Sequence, residues 1–236
     1  MKKAISMLVI VWVLILSMSA LADSFSIHNG ISFGLTEKEV GVLEESNGFQ
    51  LETKYIGEWL FGLSKGEVPP IDNAIERRFG EVDQKYIKGS VAGFDNSSIM
   101  YFFEEDKLYS AIYHFGNTTD SSRYTTLLNT LSEKYGDTVG ENDSYIDFPK
   151  PGSTALTVYE AYDGIGAFKC SVIDMAQWVV ATDDGYVNII LLDFSALGKE
   201  EVFLSYSYMT TEEYDSFISD KMDEENKKTS QLENDL

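Results

Sequence analysis

One segment of the sequence matches a pattern used for nucleophilic catalysis. Gly62-Leu63-Ser64-Lys65-Gly66 has the G-x-S-x-G spacing of a nucleophile elbow, which places a serine on a sharp turn between a strand and a helix. Pro69 and Pro70 follow too soon for that helix, and His114 is the only histidine downstream that could act as a base. We therefore interpret the segment as an ordinary glycyl turn.

The chain contains few of the side chains that bind transition metals. His28 and His114 are the only histidines and Cys170 is the only cysteine, so the usual zinc-site spacings do not occur. A single cysteine also excludes an intramolecular disulfide. We expect Cys170 to be a buried small residue and His114 to be a half-exposed strand residue. The sequence indicates no metal site and no cofactor.

Acidic residues are abundant, with 39 Asp and Glu against 18 Lys and Arg and a net charge of −21. Pairs such as Asp183-Asp184 and Glu104-Glu105 have the residue types of a glycosidase or a calcium site. Both pairs fall at predicted turns and no D-x-D-x-D-G loop occurs, so we assign no catalytic residue. The negative charge argues against nucleic acid as a partner and favours cations, basic proteins or simple solubility.

The first 22 residues have the organisation of a cleavable secretory signal. Two lysines precede an unbroken apolar run from Met7 to Leu16, and small residues stand at the predicted cleavage site between Ala22 and Asp23. The run is shorter than the roughly 20 residues that span a bilayer, so a retained anchor is the less favoured interpretation. We predict an extracytoplasmic protein, secreted or periplasmic, that leaves the membrane after cleavage.

The residues after the signal predict short strands and a capped helix. Asn29-Gly30 is a strong signal for a two-residue hairpin, and Thr36-Glu37-Lys38-Glu39 is a capping box that begins a helix. That helix is predicted to end near Asn47-Gly48. Two extended segments, Phe49 to Ile56 and Glu58 to Leu63, are expected next.

Helices and antiparallel strands continue along the rest of the chain. A short helix is predicted to end at Gly80, and residues 86–115 are predicted to form a meander with turns at Asp95-Asn96 and at 104–107. The strongest helical stripe follows and consists of Tyr124, Leu127, Leu128, Leu131 and Tyr135. Strands over 177–182, 186–194 and 202–208 complete the prediction, with a hairpin at Asp183-Asp184-Gly185.

These elements predict an α+β domain over residues 23–222, in which helices pack on one face of an antiparallel sheet. A weak internal repeat matches residues 76–81 with 132–137, and predicts two helix–meander units at about 25–116 and 120–209. A second capping box, Thr210-Thr211-Glu212-Glu213, predicts a C-terminal helix over 211–222. The acidic residues 223–236 are predicted to form a disordered tail.

The segment Ile31-Ser32-Phe33-Gly34-Leu35-Thr36-Glu37-Lys38-Glu39-Val40 resembles the opening of a class of small exported modules. These are the helix-plus-sheet modules of the outer-membrane assembly lipoprotein and β-lactamase-inhibitor-protein-like class, which begin with a Gly-hydrophobic-Thr-x-x-x-Val turn into a capped helix. The chain lacks the lipobox cysteine and the Gly-x-Pro that follows the helix in that class. The resemblance implies a non-enzymatic binding or inhibitory role and carries over no functional residue.

One strand offers a candidate binding surface because it is apolar on both faces. We select the side chains Tyr186, Ile190, Leu192 and Phe194, which share one face of the strand over 186–194. If only the opposite face meets helices, this face is an apolar patch that a second copy or another protein would cover. The alternative is that the insertion over residues 156–173 folds over the patch and buries it within the monomer.

The sequence predicts a non-catalytic, exported binding or inhibitory protein. The signal, the acidic composition and the absence of a recognisable catalytic constellation all favour this interpretation over an enzyme. The alternative is an extracytoplasmic hydrolase that acts on carbohydrate or peptide through carboxylates the sequence does not identify.

Overall fold

A seven-stranded antiparallel sheet forms the centre of the molecule, in the order β3-β4-β5-β6-β9-β8-β7. The computed structural model describes residues 25–62, 75–80, 83–118, 122–138, 154–164, 170–196, 199–216 and 219. The strands of the sheet are β3 (Glu52–Tyr55), β4 (Asp83–Val91), β5 (Phe94–Glu104), β6 (Lys107–Thr118), β7 (Ser171–Ala181), β8 (Gly185–Ala196) and β9 (Lys199–Thr210). A separate hairpin consists of β1 (Ser26–His28) and β2 (Ile31–Ser32).

Four helices accompany the sheet in the described part of the chain, together with two helical turns at 75–79 and 211–216. The helices are α1 (Glu37–Ser46), α2 (Ile56–Phe61), α3 (Ser122–Tyr135) and α4 (Ala155–Gly164). None of the helices described is long and apolar enough to cross a membrane.

The sheet is covered on both faces, which we call the α1 face and the α4 face. The β1–β2 hairpin, α1 and α3 pack on the α1 face through residues that include Ile31, Val40 and Leu131. On the opposite face α2, the turn at 75–79 and α4 bury residues that include Ile56, Ile75 and Val158. Two separate hydrophobic cores therefore share one sheet.

The predicted α+β class is confirmed, but the helices do not lie on a single face. Strand β5 explains the difference, because Ile99 and Tyr101 enter the core of the α1 face while Met100 and Phe102 enter the core of the α4 face. A strand with apolar residues at both parities has two faces to shield from water, and each face needs its own helices.

Several local predictions are confirmed. Asn29 and Gly30 turn the first hairpin with positive φ angles of 41° and 89°. The capping box at Thr36 and Glu39 begins α1 with both of its reciprocal hydrogen bonds. At the second box the Thr210 amide donates to Glu213 Oε2 at 2.8 Å, and the Glu213 amide donates to Thr210 Oγ1 at 3.3 Å.

Two local predictions are wrong. Residues 58–63 were expected to be extended, but most of them belong to α2, which ends at Gly62 with a φ angle of 67°. Ile56 and Leu60 explain the helix, because their i, i+4 spacing buries both on one side. The turn expected at Asp95-Asn96 occurs instead at residues 92–93, where both residues have positive φ, and Asn96 lies within β5.

Six of the seven strands form two three-stranded meanders, β4-β5-β6 and β7-β8-β9, which are joined by antiparallel pairing of β6 with β9, and β3 adds an edge strand beside β4. The two helical segments that the sequence matched lie on opposite faces, with Phe79 in the core of the α4 face and Tyr135 against the α1 face. The internal repeat therefore stays a hypothesis. The signal, its cleavage site at Ala22 and Asp23, and the predicted tail lie outside the described residues.

Candidate functional site

The surface that the sequence selected on β8 is core and not an exposed patch. Ile190, Leu192 and Phe194 are fully buried in the α4-face core. Helix α4 supplies the cover, and the ring of Phe194 meets that of Tyr162 with centroids 5.2 Å apart. Tyr186 lies apart from these three and stacks on Tyr214 with centroids 3.9 Å apart. The insertion therefore buries this face within the monomer, as the alternative interpretation expected.

A polar cleft opens on the α4 face between α2 and the first four strands of the sheet. Its volume is about 200 Å³, which equals the space of roughly six or seven water molecules in the liquid. A ligand of this volume is smaller than a typical drug molecule. The residues that line the cleft are Lys54, Glu58, Trp59, Tyr86, Lys88, Asn96, Ser98 and His114.

The base of the cleft is a row of directly paired residues on four neighbouring strands. Lys88 of β4 pairs with Ser98 of β5, Ser98 pairs with His114 of β6, and His114 pairs with Phe203 of β9. Side chains that are paired across antiparallel strands point to the same face and stand about 5 Å apart. The register of the sheet therefore brings a cation, a hydroxyl and an imidazole into one line.

His114 is held in place from three sides. Its Nε2 lies 2.8 Å from Oε2 of Glu201, which is 8% exposed. The imidazole stacks flat on Phe203, with centroids 4.5 Å apart and an angle of 7° between the rings. The edge of Trp59 meets it at 6.1 Å. No hydrogen bond to Nδ1 is seen in the described part of the chain.

Helix α2 covers the cleft and fixes its polar groups. The indole Nε1 of Trp59 donates a hydrogen bond of 2.7 Å to Ser98 Oγ. Lys54, near the end of β3, donates to Oε1 of Glu58 in α2 at 2.9 Å and also lies over the ring of Tyr86. The hydrogen bond to Glu58 and the contact with Tyr86 raise the pKa of Lys54 to about 12. Lys54 therefore stays charged, and its ammonium is already bonded to Glu58.

Lys88 and Asn96 differ from Lys54 because neither side chain has a polar partner among the described residues. Both are exposed and line the same cleft. Asn96 has a φ of 59° within β5 and faces Gly116 of β6, where an added Cβ would approach the Asn96 carbonyl oxygen to 3.2 Å. The register of β6 with β9 also shifts after His114. The sheet is thus distorted beside the cleft, and such distortions commonly redirect side chains at functional sites.

The cleft contains the residue types of a catalytic triad without its geometry. Ser98, His114 and Glu201 follow one another in space, but no hydrogen bond joins Ser98 to His114. Ser98 Oγ accepts from Trp59 instead. Among the described residues no group of three or more His, Cys, Asp or Glu side chains could hold a metal ion.

A second histidine–glutamate pair lies on the α1 face. Glu44 of α1 is completely buried, and its Oε1 lies 3.1 Å from His28 Nδ1 and also accepts the hydroxyl of Tyr101. Asn29 Nδ2 lies 3.1 Å from His28 Nε2. Burial, together with Tyr113 and Glu44, raises the pKa of Tyr101 well above its usual value, so this hydroxyl remains a donor. His28 itself is also buried.

Sequence reasoning missed most of the cleft. Trp59 and Glu58 were placed on an extended segment, and Lys88 and Glu201 were not singled out. The alternation of side chains along β4 and β5 could have placed Lys88 and Ser98 on the same face of the sheet, because both strands were predicted and both residues follow the alternation of their strands.

Cys170 is half-buried, and burial raises the pKa of its thiol.

Comparison with known proteins gives no relative for this fold or cleft: no family model, no curated protein and no solved structure matches the chain.

Proposed function

We propose that this is an exported, non-catalytic binding protein that holds a small polar ligand in the cleft on the α4 face. The observation that carries the proposal is one small cleft, which His114 lines together with two polar side chains that have no partner among the described residues, the ammonium of Lys88 and the amide of Asn96. Polar groups that converge on a pocket beside aromatic walls are characteristic of ligand sites. Export is supported by the N-terminal sequence alone.

The two tryptophans outside the signal provide a direct test. Trp59 donates its indole N–H at the cleft, whereas Trp178 donates its own to the carbonyl of Gly136 on the α1 face at 3.0 Å. We expect a small polar compound to move the indole N–H resonance of Trp59 in a ¹⁵N NMR titration. The resonance of Trp178 is the internal control and should stay in place.

Two outcomes of this titration would contradict the proposal. If a broad set of sugars, amino acids and small organic acids leaves the Trp59 resonance unchanged, the cleft is not a binding site for small polar molecules. Equal movement of both indole resonances would indicate a global change in the protein.

An extracytoplasmic hydrolase is the second candidate. The observation that favours it is that Ser98, His114 and Glu201 lie next to one another across the sheet. A broad hydrolase screen on the exported protein separates the two functions. Turnover that disappears in Ser98→Ala and in Glu201→Gln would replace the binding proposal. The other carboxylate at the cleft, Glu58, forms an ion pair with Lys54 and is less available for acid–base chemistry.

A protein partner or self-association was also expected from the sequence. The apolar surface chosen for it is buried, so this expectation stays a prediction without a site. The exposed large hydrophobic residues among those described are Val42, Val172 and Ile173. They do not form a broad patch, since Val42 lies on α1 and the other two on β7.

A further inference from the structure

The cleft reverses the charge balance of the rest of the chain. The whole sequence has 39 acidic against 18 basic residues, whereas two lysines and one glutamate line the cleft. A chain with a net charge of −21 repels anions, so a local excess of lysine marks the place where this repulsion is weakest. We propose that the ligand is a small monocarboxylate of the size of a sugar acid, whose carboxylate binds Lys88, Asn96 and Ser98. This inference rests on the proposed function.

Lys88 is the cation that the carboxylate would meet. Lys54 already bonds Glu58 at 2.9 Å and lies over Tyr86, so a ligand would have to displace both contacts to reach it. Lys88 has no ion pair in the described part of the chain and stands directly beside Ser98 across the β4–β5 pairing. An ammonium and a hydroxyl on adjacent strands can each donate to a different oxygen of one carboxylate.

The hydrogen bond from Trp59 decides how Ser98 can act. Because the indole N–H donates into Ser98 Oγ, the hydroxyl proton of Ser98 is directed to another acceptor. No such acceptor is seen within the described residues. The unpartnered amide of Asn96, two residues along the same strand face, adds a further donor. Lys88, Ser98 and Asn96 therefore each offer a donor that has no acceptor among the described residues, which matches an anionic group.

Glu58 limits the remainder of the ligand. Its carboxylate also lines the cleft, where it accepts from hydroxyl groups and repels a second anionic group. Trp59 provides an aromatic wall, which suits the weakly polar face of a sugar ring, whereas the ring of Tyr86 is already covered by Lys54. The volume of about 200 Å³ admits one ring of this size. A ring with several hydroxyls and one carboxylate satisfies both the donors and Glu58.

Matched ligand pairs test the charge requirement. D-glucuronate and D-galacturonate differ from D-glucose and D-galactose only in a carboxylate that replaces the hydroxymethyl group. We expect at least one acid to bind the full exported protein about tenfold or more tightly than its parent hexose, because a charge-assisted hydrogen bond replaces a neutral one. Affinities are measured from the Trp59 indole resonance at constant ionic strength, with inorganic phosphate as a further probe.

Two lysine variants locate the carboxylate. Lys88→Gln is expected to weaken binding of the acid about tenfold while binding of the hexose changes less than twofold. Lys38→Gln is the control, because Lys38 is exposed on α1 on the other side of the sheet and its loss changes the net charge equally. It should leave both affinities within twofold. Circular dichroism confirms that both variants are folded.

The remaining outcomes overturn the inference in distinguishable ways. Equal affinity for acid and hexose, with a response of Trp59, refutes the carboxylate and leaves the proposed function in place. Phosphate that binds as tightly as the acids would indicate a site for any anion. If none of these probes moves the Trp59 resonance, the inference fails, and the wider set of compounds described above decides whether the cleft binds a ligand at all.

Discussion

The two histidine–glutamate pairs contain the same residue types in different surroundings. On the α1 face both ring nitrogens of His28 have partners, Glu44 and Asn29, and Glu44 is completely buried. On the α4 face His114 bonds Glu201 through Nε2 only, and its ring reaches a cleft. The first pair ties α1 and the β1–β2 hairpin to the sheet. The second pair lies beside the cleft, and Nδ1 of its histidine has no hydrogen bond within the described residues.

This difference shows that residue type alone does not separate the buried pair from the pair beside the cleft. Both pairs contain a histidine close to a buried glutamate, and aromatic rings contact both histidines. They differ in what covers them, because α1 closes over the first pair whereas the short helix α2 leaves a gap beside the second. Unpartnered donors and an adjoining cavity are therefore better signs of function than the pair itself.

The largest expected effect tests whether the α4 face is buried core in the region away from the cleft. Ile190→Asp should lower the free energy of unfolding by more than about 4 kcal/mol, because it places an unpaired carboxylate in the core beneath α4. We expect the variant not to fold, as seen by circular dichroism and urea titration.

The control for Ile190→Asp is the same substitution at Ile173 on β7, which is 51% exposed and should change stability little. A folded, soluble Ile190→Asp protein would show that this face is accessible. The contrast between the buried region beneath α4 and the cleft beside α2 would then be refuted.

The second prediction concerns the structural role of the pair on the α1 face. Glu44→Ala should lower the free energy of unfolding by about 3 kcal/mol, because it leaves the buried His28 and the Tyr101 hydroxyl without their acceptor. Glu45→Ala, at the exposed neighbouring position of α1, should cost less than about 0.5 kcal/mol. Urea unfolding of both variants measures the difference. Similar values for the two would remove the structural role of this pair.

The smallest expected effect concerns Asp193, a buried carboxylate that is not paired with a histidine. Asp193 shares the α1 face with Val202, its partner across the β8–β9 pairing, and its Oδ1 has no hydrogen-bond partner in the described residues. Burial, together with Glu200 and Asp174, raises the pKa of Asp193 to about 6. Asp193→Asn should therefore raise the free energy of unfolding by about 1 kcal/mol at pH 7.

The sign of this effect follows from proton binding. A carboxyl with a raised pKa in the folded state binds its proton more readily there than in the unfolded chain, so its penalty is present above pH 6 and disappears toward pH 4. The gain in Asp193→Asn should disappear over the same range in urea titrations. Asp95→Asn at an exposed position is the control. A gain that is independent of pH would mean that charge is not its cause.

Local signals in the sequence predicted much of the fold. The hairpin at Asn29-Gly30, the capping boxes at Thr36 and Thr210, and the helical stripe of α3 all depend on residues within a few positions of one another. The alternation on β8 was also correct, with Val187, Ile189 and Leu191 on one face and Ile190, Leu192 and Phe194 on the other. Such short-range patterns are readable because steric and capping preferences act locally.

The sequence by itself determined the first hairpin, the helices α1 and α3, the parity of β8 and the acidic character of this protein, because these follow from neighbouring residues and composition. Only the tertiary structure decided which apolar faces are covered and which polar residues meet. The row from Lys88 to Phe203 depends on the register of four strands, and its last member is 115 positions from its first in the numbering. Strand register is set by the packing of both cores at once, which no local pattern records.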